Sequence, residues 1–157
     1  MKNFKNVVSK LIDKGFTIST MESCTGGGVV DKITNIPGAS KVLKFSAVTY
    51  SNEYKIKMGV DSNVIDKYSV YSMETACLMA LNISLFSNSN IGIGITGKLK
   101  RKDPFNDYGD DNKVYISIYN KDNDVYCNDI VICKYNDRKK NKELIIDKII
   151  DKLEEIL

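Results

Sequence analysis

The sequence predicts one α/β domain, a three-layer α/β/α sandwich built around a mixed sheet. Helical and strand patterns alternate along the first part of the chain, which is typical of parallel strands joined by helices. Two consecutive strand patterns, separated by a short polar turn, then predict an antiparallel hairpin. The 157 residues, 43% of them hydrophobic and 27% charged, are enough for one buried core. We therefore expect a single domain over residues 1–157.

The first part of the chain contains two predicted helices and two predicted strands. Apolar residues at helical spacing define the first helix, which Gly15 ends. A β-branched run predicts the first strand, and the helix after it stops before Pro37-Gly38. A mainly apolar run then predicts a buried strand. In order, these elements are a helix over 2–14, a strand over 16–20, a helix over 29–36 and a strand over 42–50.

The remaining elements complete the three layers. Ser51-Asn52-Glu53 is expected to cap a short helix that Gly59 ends. A later helix is apolar over much of its circumference, so we expect it to be buried, in part at a subunit contact. Glycines in the strand after it permit close backbone packing, and the charged segment that follows is typical of a solvated loop. In order, the elements after the short helix are a helical turn over 64–67, a helix over 72–86, a strand over 91–96, a loop over 97–112, strands over 114–119 and 124–134, and a helix over 144–156.

Composition excludes several classes of protein. The formal charge of +3 is small and both signs are interspersed, so direct nucleic-acid binding is not indicated. The sequence has neither a long apolar run typical of a membrane span nor a signal-peptide pattern, and we expect a cytoplasmic protein. The four cysteines lack paired metal-ligand spacing and there is no histidine, so no metal site is predicted. We expect the cysteines to be reduced and mostly buried.

The stretch from Thr20 to Gly28 is the strongest candidate for chemistry. It places Ser23 on a tight turn between a strand and a helix, close to the first free N–H groups of that helix. Such a turn is consistent with a nucleophile beside an oxyanion site, with an anion cradle, or with an ordinary glycine-rich turn in which Ser23 or Thr25 caps the helix. Because the chain has no histidine, the base for a serine nucleophile would be a lysine, a tyrosine, a carboxylate or water.

Two motifs at a defined separation carry a resemblance to a known family. They are Glu22-Ser23-Cys24-Thr25-Gly26-Gly27 and Tyr50-Ser51-Asn52-Glu53-Tyr54-Lys55. Together they resemble the C-terminal domain of the competence/damage-inducible CinA family. The likeness extends from the first helix to the last and includes segments 36–40, 58–60 and 93–97. Stand-alone members of that family are nicotinamide mononucleotide deamidases, and we expect this chain to be the amidase unit without the amino-terminal domain of longer members.

The resemblance implies a serine amidohydrolase that acts on nicotinamide mononucleotide. Ser23 corresponds to the nucleophile, and Tyr50 and Lys55 correspond to the proton-transfer pair. Crowding by burial makes a lysine ammonium lose its proton more readily, which fits that role. The ordinary alternatives are a half-buried core Tyr50 and a solvated Lys55. By matching position, the substrate-binding candidates are Cys24, Thr25, Gly26, Gly27, Thr96, Gly97 and Arg138.

The resemblance implies no cofactor and a homo-oligomer, with a dimer favoured. The chain departs from the family pattern after Thr96-Gly97, where a charged segment from Lys98 replaces a glycine-rich one. Lysines and Arg101 there are candidate phosphate ligands, as flexible point charges. Lys142 stands where the family has an arginine, and Arg138 belongs to the site, to an interface, or to solvent beside a helix cap at Asp137.

Three functions remain open from the sequence. The first is nicotinamide mononucleotide hydrolysis. The second is a non-catalytic relative that binds a nucleotide or a protein partner linked to competence or recombination. The third is an amidase or esterase with another substrate. Ammonia release that depends on Ser23 would separate the first from the second.

Overall fold

The computed structural model describes residues 2–101, 105 and 110–157. Its helices are α1 Lys5–Lys14, α2 Gly28–Thr34, α3 Asn52–Lys57, α4 Ser62–Tyr68, α5 Met73–Ser87 and α6 Arg138–Ile156. Its strands are β1 Ile18–Glu22, β2 Leu43–Val48, β3 Ile91–Gly97, β4 Lys113–Asn120 and β5 Val125–Ile132. A 3₁₀ turn over Ala39–Lys41 precedes β2.

The five strands form one mixed sheet in the order β2-β1-β3-β4-β5. Strand β1 lies at the junction, because it pairs in parallel with β2 on one side and with β3 on the other. Strands β3, β4 and β5 then continue as antiparallel neighbours. The predicted mixed sheet and the predicted terminal hairpin are therefore confirmed.

Helices cover both faces of this sheet, which confirms the three-layer architecture. One core packs α1, α2 and α6 against the isoleucine-rich face of β1, β3 and β4, and it includes Ile18, Ile93 and Ile145. A second, smaller cluster lies under α5 on the opposite face and includes Met21 and Met79. Alternation along β1 sends Ile18 to the first core and Met21 to the second, as a strand buried on both faces requires.

Helix α5 packs directly onto the backbone of β3. A Cβ at Gly92 would lie 2.1 Å from the carbonyl oxygen of Ala80, and one at Gly94 would lie 2.2 Å from that of Ala76. No side chain fits there, so the prediction of close packing at these glycines is confirmed. The apolar helix is buried where it faces the sheet, whereas Leu85 and Phe86 at its carboxyl end are exposed.

Several predicted boundaries differ by a few residues, and three differences from the predicted elements bear on the site. Strand β1 continues to Glu22, because parallel pairing on both sides extends to that residue. Helix α6 begins at Arg138 rather than near 144, since its polar first turns lack apolar periodicity but carry a cap at Asp137. The predicted solvated loop over 97–112 is wrong at its start, because Lys98 and Leu99 are buried. Residues 102–104 and 106–109 of that loop lie outside the described residues. Within the described residues, no helix is long and apolar enough to cross a membrane.

Candidate active site

The carboxyl ends of the three parallel strands bring the predicted site residues together. Strand β1 leads into Ser23, β2 leads into Tyr50, and β3 carries Thr96 near its end. Two backbone bonds extend the pairing past the strands: Ser23 N donates to Ile95 O at 3.1 Å, and Thr49 N donates to Glu22 O at 2.8 Å. The edge of a parallel sheet is where α/β proteins form binding crevices.

The Ser23 hydroxyl lies in hydrogen-bond contact with Lys55. Lys55 Nζ donates to Ser23 Oγ at 3.0 Å and to the carbonyl oxygen of Thr49 at 2.7 Å, and the carbonyl oxygen of Tyr50 lies 3.4 Å away. Both side chains are sequestered, with Lys55 only 1% exposed and Ser23 6% exposed. The alternative of a solvated Lys55 is therefore wrong.

Helix α3 is what carries Lys55 into the interior. Its N-cap is Ser51, whose hydroxyl accepts from Tyr54 N, as the sequence predicted. Capping starts the helix immediately after β2, so Lys55 falls one turn later and faces back toward Ser23. The sequence spacing of Tyr50 and Lys55 thus places a lysine amine, rather than an imidazole, beside the serine.

A buried carboxylate fixes the turn that presents Ser23. Glu22 is fully buried, and its Oε1 accepts from Thr25 Oγ1 at 2.6 Å and from Val29 N at 3.0 Å. Its Oε2 accepts from Val30 N at 3.0 Å. These bonds satisfy the first free N–H groups of α2 and place negative charge at the positive end of the helix. The sequence analysis missed this role, because Glu22 ends β1 and the turn separates it from the start of α2.

The position of Glu22 corrects two expectations about the turn. The prediction that Ser23 or Thr25 caps α2 is wrong, since Gly27 at φ +93° is the N-cap and has no side-chain capping bond. The prediction that Ser23 faces free N–H groups of the helix is also wrong, because Glu22 occupies them. Within the turn, Gly26 N donates to Ser23 O at 2.9 Å.

The remaining N–H groups of the turn are the available oxyanion donors. Among the described residues, no other residue accepts a hydrogen bond from the backbone N–H of Cys24, Thr25 or Gly27. If Ser23 Oγ attacked a carbonyl carbon, the negative charge would develop on that substrate's carbonyl oxygen, and these groups follow Ser23 directly in the chain.

The cysteine beside Ser23 is a poor candidate for the nucleophile. Burial raises the pKa of the Cys24 thiol to about 12, with a further increase from Cys133 and a smaller opposing effect of Lys55. Thiolate, the reactive form, is therefore scarce near neutral pH. All four cysteines are free, and the described residues contain no group of three His, Cys, Asp or Glu side chains that could hold a metal ion.

Two residues expected to bind substrate are engaged in the fold. Thr96 is fully buried and its hydroxyl donates to Val70 O at 2.9 Å. A Cβ on Gly97 would lie 2.4 Å from the carbonyl oxygen of Lys113, so this glycine allows β3 and β4 to approach. Both positions lie at the edge of the site, and their contact with substrate stays a prediction.

Lys98 departs from the flexible point charge that the sequence suggested. It is 4% exposed, and its Nζ lies 5.0 Å from the centre of the Tyr71 ring and 3.5 Å from a carboxylate oxygen of Asp111. Lys98 therefore packs against the protein and is not a mobile charge available to a ligand. Arg101 remains exposed.

The predicted relay residue Tyr50 faces the rim of the site. Its side chain is 62% exposed, and its hydroxyl accepts from Arg138 Nη2 at 3.3 Å. A half-buried core Tyr50 is therefore wrong, and the relay between its hydroxyl and Lys55 stays a prediction. The bond to Tyr50 brings Arg138 to the site, while Asp137 caps α6 as anticipated by accepting from Lys139 N at 2.8 Å and Lys140 N at 3.2 Å.

Comparison with known proteins identifies the family of this chain. The sequence model of the CinA C-terminal domain family matches residues 2–157. The chain belongs to this family. A competence-damage inducible protein of Clostridium kluyveri is 52% identical over 88 residues, and a CinA-like protein of Kosmotoga olearia is 47% identical over 92 residues. These matches cover 55% and 58% of this chain, but each covers 22% of the relative's length.

Solved structures share the fold over nearly the whole chain. The competence damage-inducible protein A of Klebsiella pneumoniae superposes with a TM-score of 0.87 at 19% identity, covering 98% of this chain and 96% of that one. The competence/damage inducible protein CihA of Agrobacterium tumefaciens gives a TM-score of 0.80 at 23% identity, covering 99% and 94%. At these identities the likeness establishes the CinA fold and not a shared substrate.

Proposed function

We propose that this CinA C-terminal domain is an amidohydrolase that converts nicotinamide mononucleotide into nicotinic acid mononucleotide and ammonia. The observation that carries the proposal is the 3.0 Å contact between Lys55 Nζ and Ser23 Oγ inside the protein. A serine hydroxyl needs a neighbouring base to become a nucleophile, and this chain contains no histidine to provide one.

The surroundings of Lys55 suit a neutral amine. Nζ lies within hydrogen-bond distance of the carbonyl oxygens of Thr49 and Tyr50 and of the hydroxyl of Ser23. A neutral amine has two N–H donors and one lone pair, so it can donate to the two carbonyls and accept the serine proton on its lone pair. Loss of water around an ammonium also favours the neutral form in general. The same three contacts accommodate the ammonium after proton transfer.

The reaction then proceeds by acyl transfer. Lys55 takes the proton of Ser23 as Oγ bonds to the carboxamide carbon, and N–H groups of the turn stabilise the oxyanion. The ammonium returns a proton to the amide nitrogen, the C–N bond breaks, and ammonia leaves. Lys55 then takes a proton from the water that attacks the ester, and collapse of the second tetrahedral intermediate releases the carboxylate and restores Ser23. Tyr50 at the rim is proposed to relay protons between the site and the leaving ammonia.

The decisive experiment measures ammonia release from nicotinamide mononucleotide by the wild type and by Ser23→Ala, Lys55→Met and Tyr50→Phe. Loss of nucleophile or base should lower kcat by at least about 1,000-fold. The Tyr50 variant decides the relay. A loss above about 100-fold supports proton transfer through its hydroxyl, whereas a loss below about 10-fold limits that hydroxyl to holding Arg138.

Other results would favour the other two functions. Turnover of a different amide or ester that disappears in Ser23→Ala would keep the mechanism and change the substrate. Nucleotide binding without turnover by the folded wild type would favour the non-catalytic module linked to competence or recombination. The burial of Lys98 and Leu99 after Gly97, where the family has a glycine-rich loop, is the observation behind these alternatives.

We further propose that the chain forms a homodimer through the carboxyl end of α5 and the neighbouring edge of β2. Phe45 and Phe86 pack with ring centres 5.2 Å apart, yet both are exposed, as is Leu85. Exposed aromatic and aliphatic side chains that adjoin one another are typical of interaction surfaces. Light scattering of the wild type and of Phe86→Lys tests this, and a wild-type monomer at high concentration would contradict it.

A further inference from the structure

The side chain of Thr49 carries a buried hydroxyl that forms no hydrogen bond with any residue the structure describes. Thr49 is 2% exposed, so solvent has almost no access to it. Burying a hydroxyl without a partner destabilises a fold, and valine, which has nearly the same shape, would avoid that loss. A buried polar group of this kind beside an active site is a candidate for a role in the reaction.

Thr49 lies directly beside the lysine amine. Its carbonyl oxygen accepts from Lys55 Nζ at 2.7 Å, and its N–H donates to the carbonyl oxygen of Glu22 at 2.8 Å. The backbone of Thr49 is therefore fixed both to the proposed base and to the strand that leads into Ser23. Standard bond lengths place a threonine hydroxyl within about 5 Å of its own carbonyl oxygen. The hydroxyl is thus a near neighbour of Nζ, although the two form no hydrogen bond in this state.

The number of N–H donors on Nζ changes during the proposed reaction. As a neutral amine, Lys55 has two donors, and the carbonyl oxygens of Thr49 and Tyr50 lie 2.7 and 3.4 Å away. After taking the serine proton, the ammonium has three donors. In the same step Ser23 Oγ becomes bonded to the carboxamide carbon, and an oxygen bonded to two carbons is a weaker acceptor than a hydroxyl. The step that adds a donor therefore also weakens an acceptor.

The contact between Nζ and the carbonyl oxygen of Tyr50 is too long to offset this change. At 3.4 Å it exceeds the usual range of N–H···O hydrogen bonds, which is about 2.7–3.2 Å. A threonine hydroxyl can accept a hydrogen bond while it keeps its own proton. Hydrogen bonds from a charged donor are stronger than those from a neutral one. Thr49 Oγ1 can therefore stabilise the ammonium of Lys55 more than it can stabilise the amine.

We propose that Thr49 is a positioning residue whose hydroxyl accepts a hydrogen bond from the Lys55 ammonium while Ser23 is bonded to the substrate. The inference rests on the proposed function for the acyl-transfer steps. Thr49 stabilises the cation that forms when Ser23 loses its proton, and it holds that cation until the proton passes to the leaving nitrogen. Because Thr49 acts through Lys55 and is itself buried, its removal is expected to change kcat rather than KM.

In the described part of the chain, two titratable groups adjoin Lys55 from the segments packed against it. The thiol of Cys24 interacts electrostatically with Lys55, and the exposed Tyr50 follows β2. The carboxylate of Glu22 is instead bonded to the start of α2. The effect of Thr49 on Lys55 should therefore persist in Cys24→Ala and in Tyr50→Phe. The other charged side chains of α3, of α4 with its cap and of α5 are all exposed: Glu53, Lys57, Asp61, Asp66, Lys67 and Glu74.

Steady-state ammonia release from nicotinamide mononucleotide tests the positioning role. Thr49→Val should lower kcat about 10-fold and leave KM within about twofold, without lowering Tm. Thr49→Ser keeps the hydroxyl and should stay within about threefold of the wild-type kcat. Ser19→Ala is the matched control and should change neither constant, because Ser19 Oγ is also buried without a partner among the described residues but lies earlier on β1. An unchanged kcat in Thr49→Val, or an equal loss in Thr49→Ser, would overturn the proposal.

Titration of Lys55 followed by NMR tests the same contact without turnover, with the signal assigned by its absence from Lys55→Met. Ser23→Ala removes the serine oxygen as an acceptor, which resembles the state in which Oγ is bonded to substrate. In this background Thr49→Val should move the midpoint of the titration to lower pH by about one unit, because the ammonium loses a charge-assisted hydrogen bond. In the wild type, where Ser23 Oγ still accepts, the same substitution should move the midpoint by less than about 0.3 unit.

The two measurements separate the contact from the reaction. Equal displacements of the Lys55 midpoint in the two backgrounds, or no displacement in either, would overturn the role of Thr49. A wild type that releases no ammonia, together with the larger displacement in Ser23→Ala, would instead overturn the proposed function and leave the contact between Thr49 and Lys55 standing.

Discussion

Glu22 is the position where a single substitution tests most of the site at once. Replacing it with alanine removes the acceptor for Thr25 Oγ1, Val29 N and Val30 N. The Thr25 and Val29 groups are buried and would be left without a partner, whereas Val30 is partly exposed and water can reach it. Each buried orphan costs about 1–3 kcal/mol, so we expect a loss of about 2–6 kcal/mol in the free energy of unfolding. For a domain of this size, 1 kcal/mol corresponds to about 2–4 °C in Tm.

Glu22→Gln is the milder variant and separates shape from charge. Its amide oxygen can still accept from two of the three donors, while its NH₂ group opposes the third. We expect a loss of about 1–2 kcal/mol. We also expect kcat for ammonia release to fall by at least about 10-fold with little change in KM, because a small displacement of the nucleophile is costly in rate.

Asp31→Asn is the matched control. Asp31 is the acidic residue in the first turn of α2, but it is exposed and accepts none of these bonds. Its removal should cost about 0.3–1 kcal/mol through the helix dipole alone. Urea denaturation and thermal melts measure the stabilities, and steady-state kinetics measures kcat. If Glu22→Ala is no less stable than Asp31→Asn, the carboxylate does not hold the turn and the account of Ser23 presentation fails.

Three other substitutions test separate features. Gly94→Ala should cost at least about 3 kcal/mol in chemical denaturation, because no Cβ fits under α5, whereas Gly15→Ala, with open space but φ +67°, should cost about 1–2 kcal/mol. Because the pKa of the Cys24 thiol is raised to about 12 in the fold, the unfolded chain ionises first. Wild-type stability should therefore fall between pH 9 and 12 by up to about 1.4 kcal/mol per pH unit more steeply than that of Cys24→Ala, and parallel pH curves would refute this. Lys98→Met should leave the free energy of unfolding unchanged or raise it, and should leave KM for the nucleotide unchanged, since Lys98 is buried against Tyr71. A tenfold rise in KM would restore Lys98 as a phosphate ligand.

The architecture was accessible from the sequence because its signals are local. Alternation of helix and strand patterns, the caps at Ser51 and Asp137, and the glycines of β3 each act within a few residues and point to the same fold. Parallel strands end together at one edge of a sheet, so the segments that follow β1 and β2 and the end of β3 meet there.

The contacts of the site were less accessible because they depend on tertiary packing. Glu22 is separated by seven residues from Val29, and only the pairing of β1 on both sides buries its carboxylate and directs it to the start of α2. The burial of Lys98 likewise depends on the Tyr71 ring, which approaches from a different part of the chain. Charge pattern alone favours a solvated lysine in such a segment, so the local signal and the packing disagree at this position.

The difference between local sequence signals and tertiary packing also explains how a chain without histidine could support serine chemistry. Lysine in water is protonated at neutral pH and cannot serve as a base, so in the proposed mechanism Lys55 acquires that capacity only through the fold. Strand β1 leads into Ser23, Glu22 holds the turn, and helix α3 removes Lys55 from solvent. The segment before α3 supplies the carbonyl oxygens of Thr49 and Tyr50 as acceptors for the amine. If any of these contacts is lost, Ser23 and Lys55 are still present, but Lys55 is no longer held in the environment that lets it act as a base. Catalysis by this pair should therefore be lost under mild denaturation before secondary structure is lost, which parallel measurements of ammonia release and circular dichroism in urea can show.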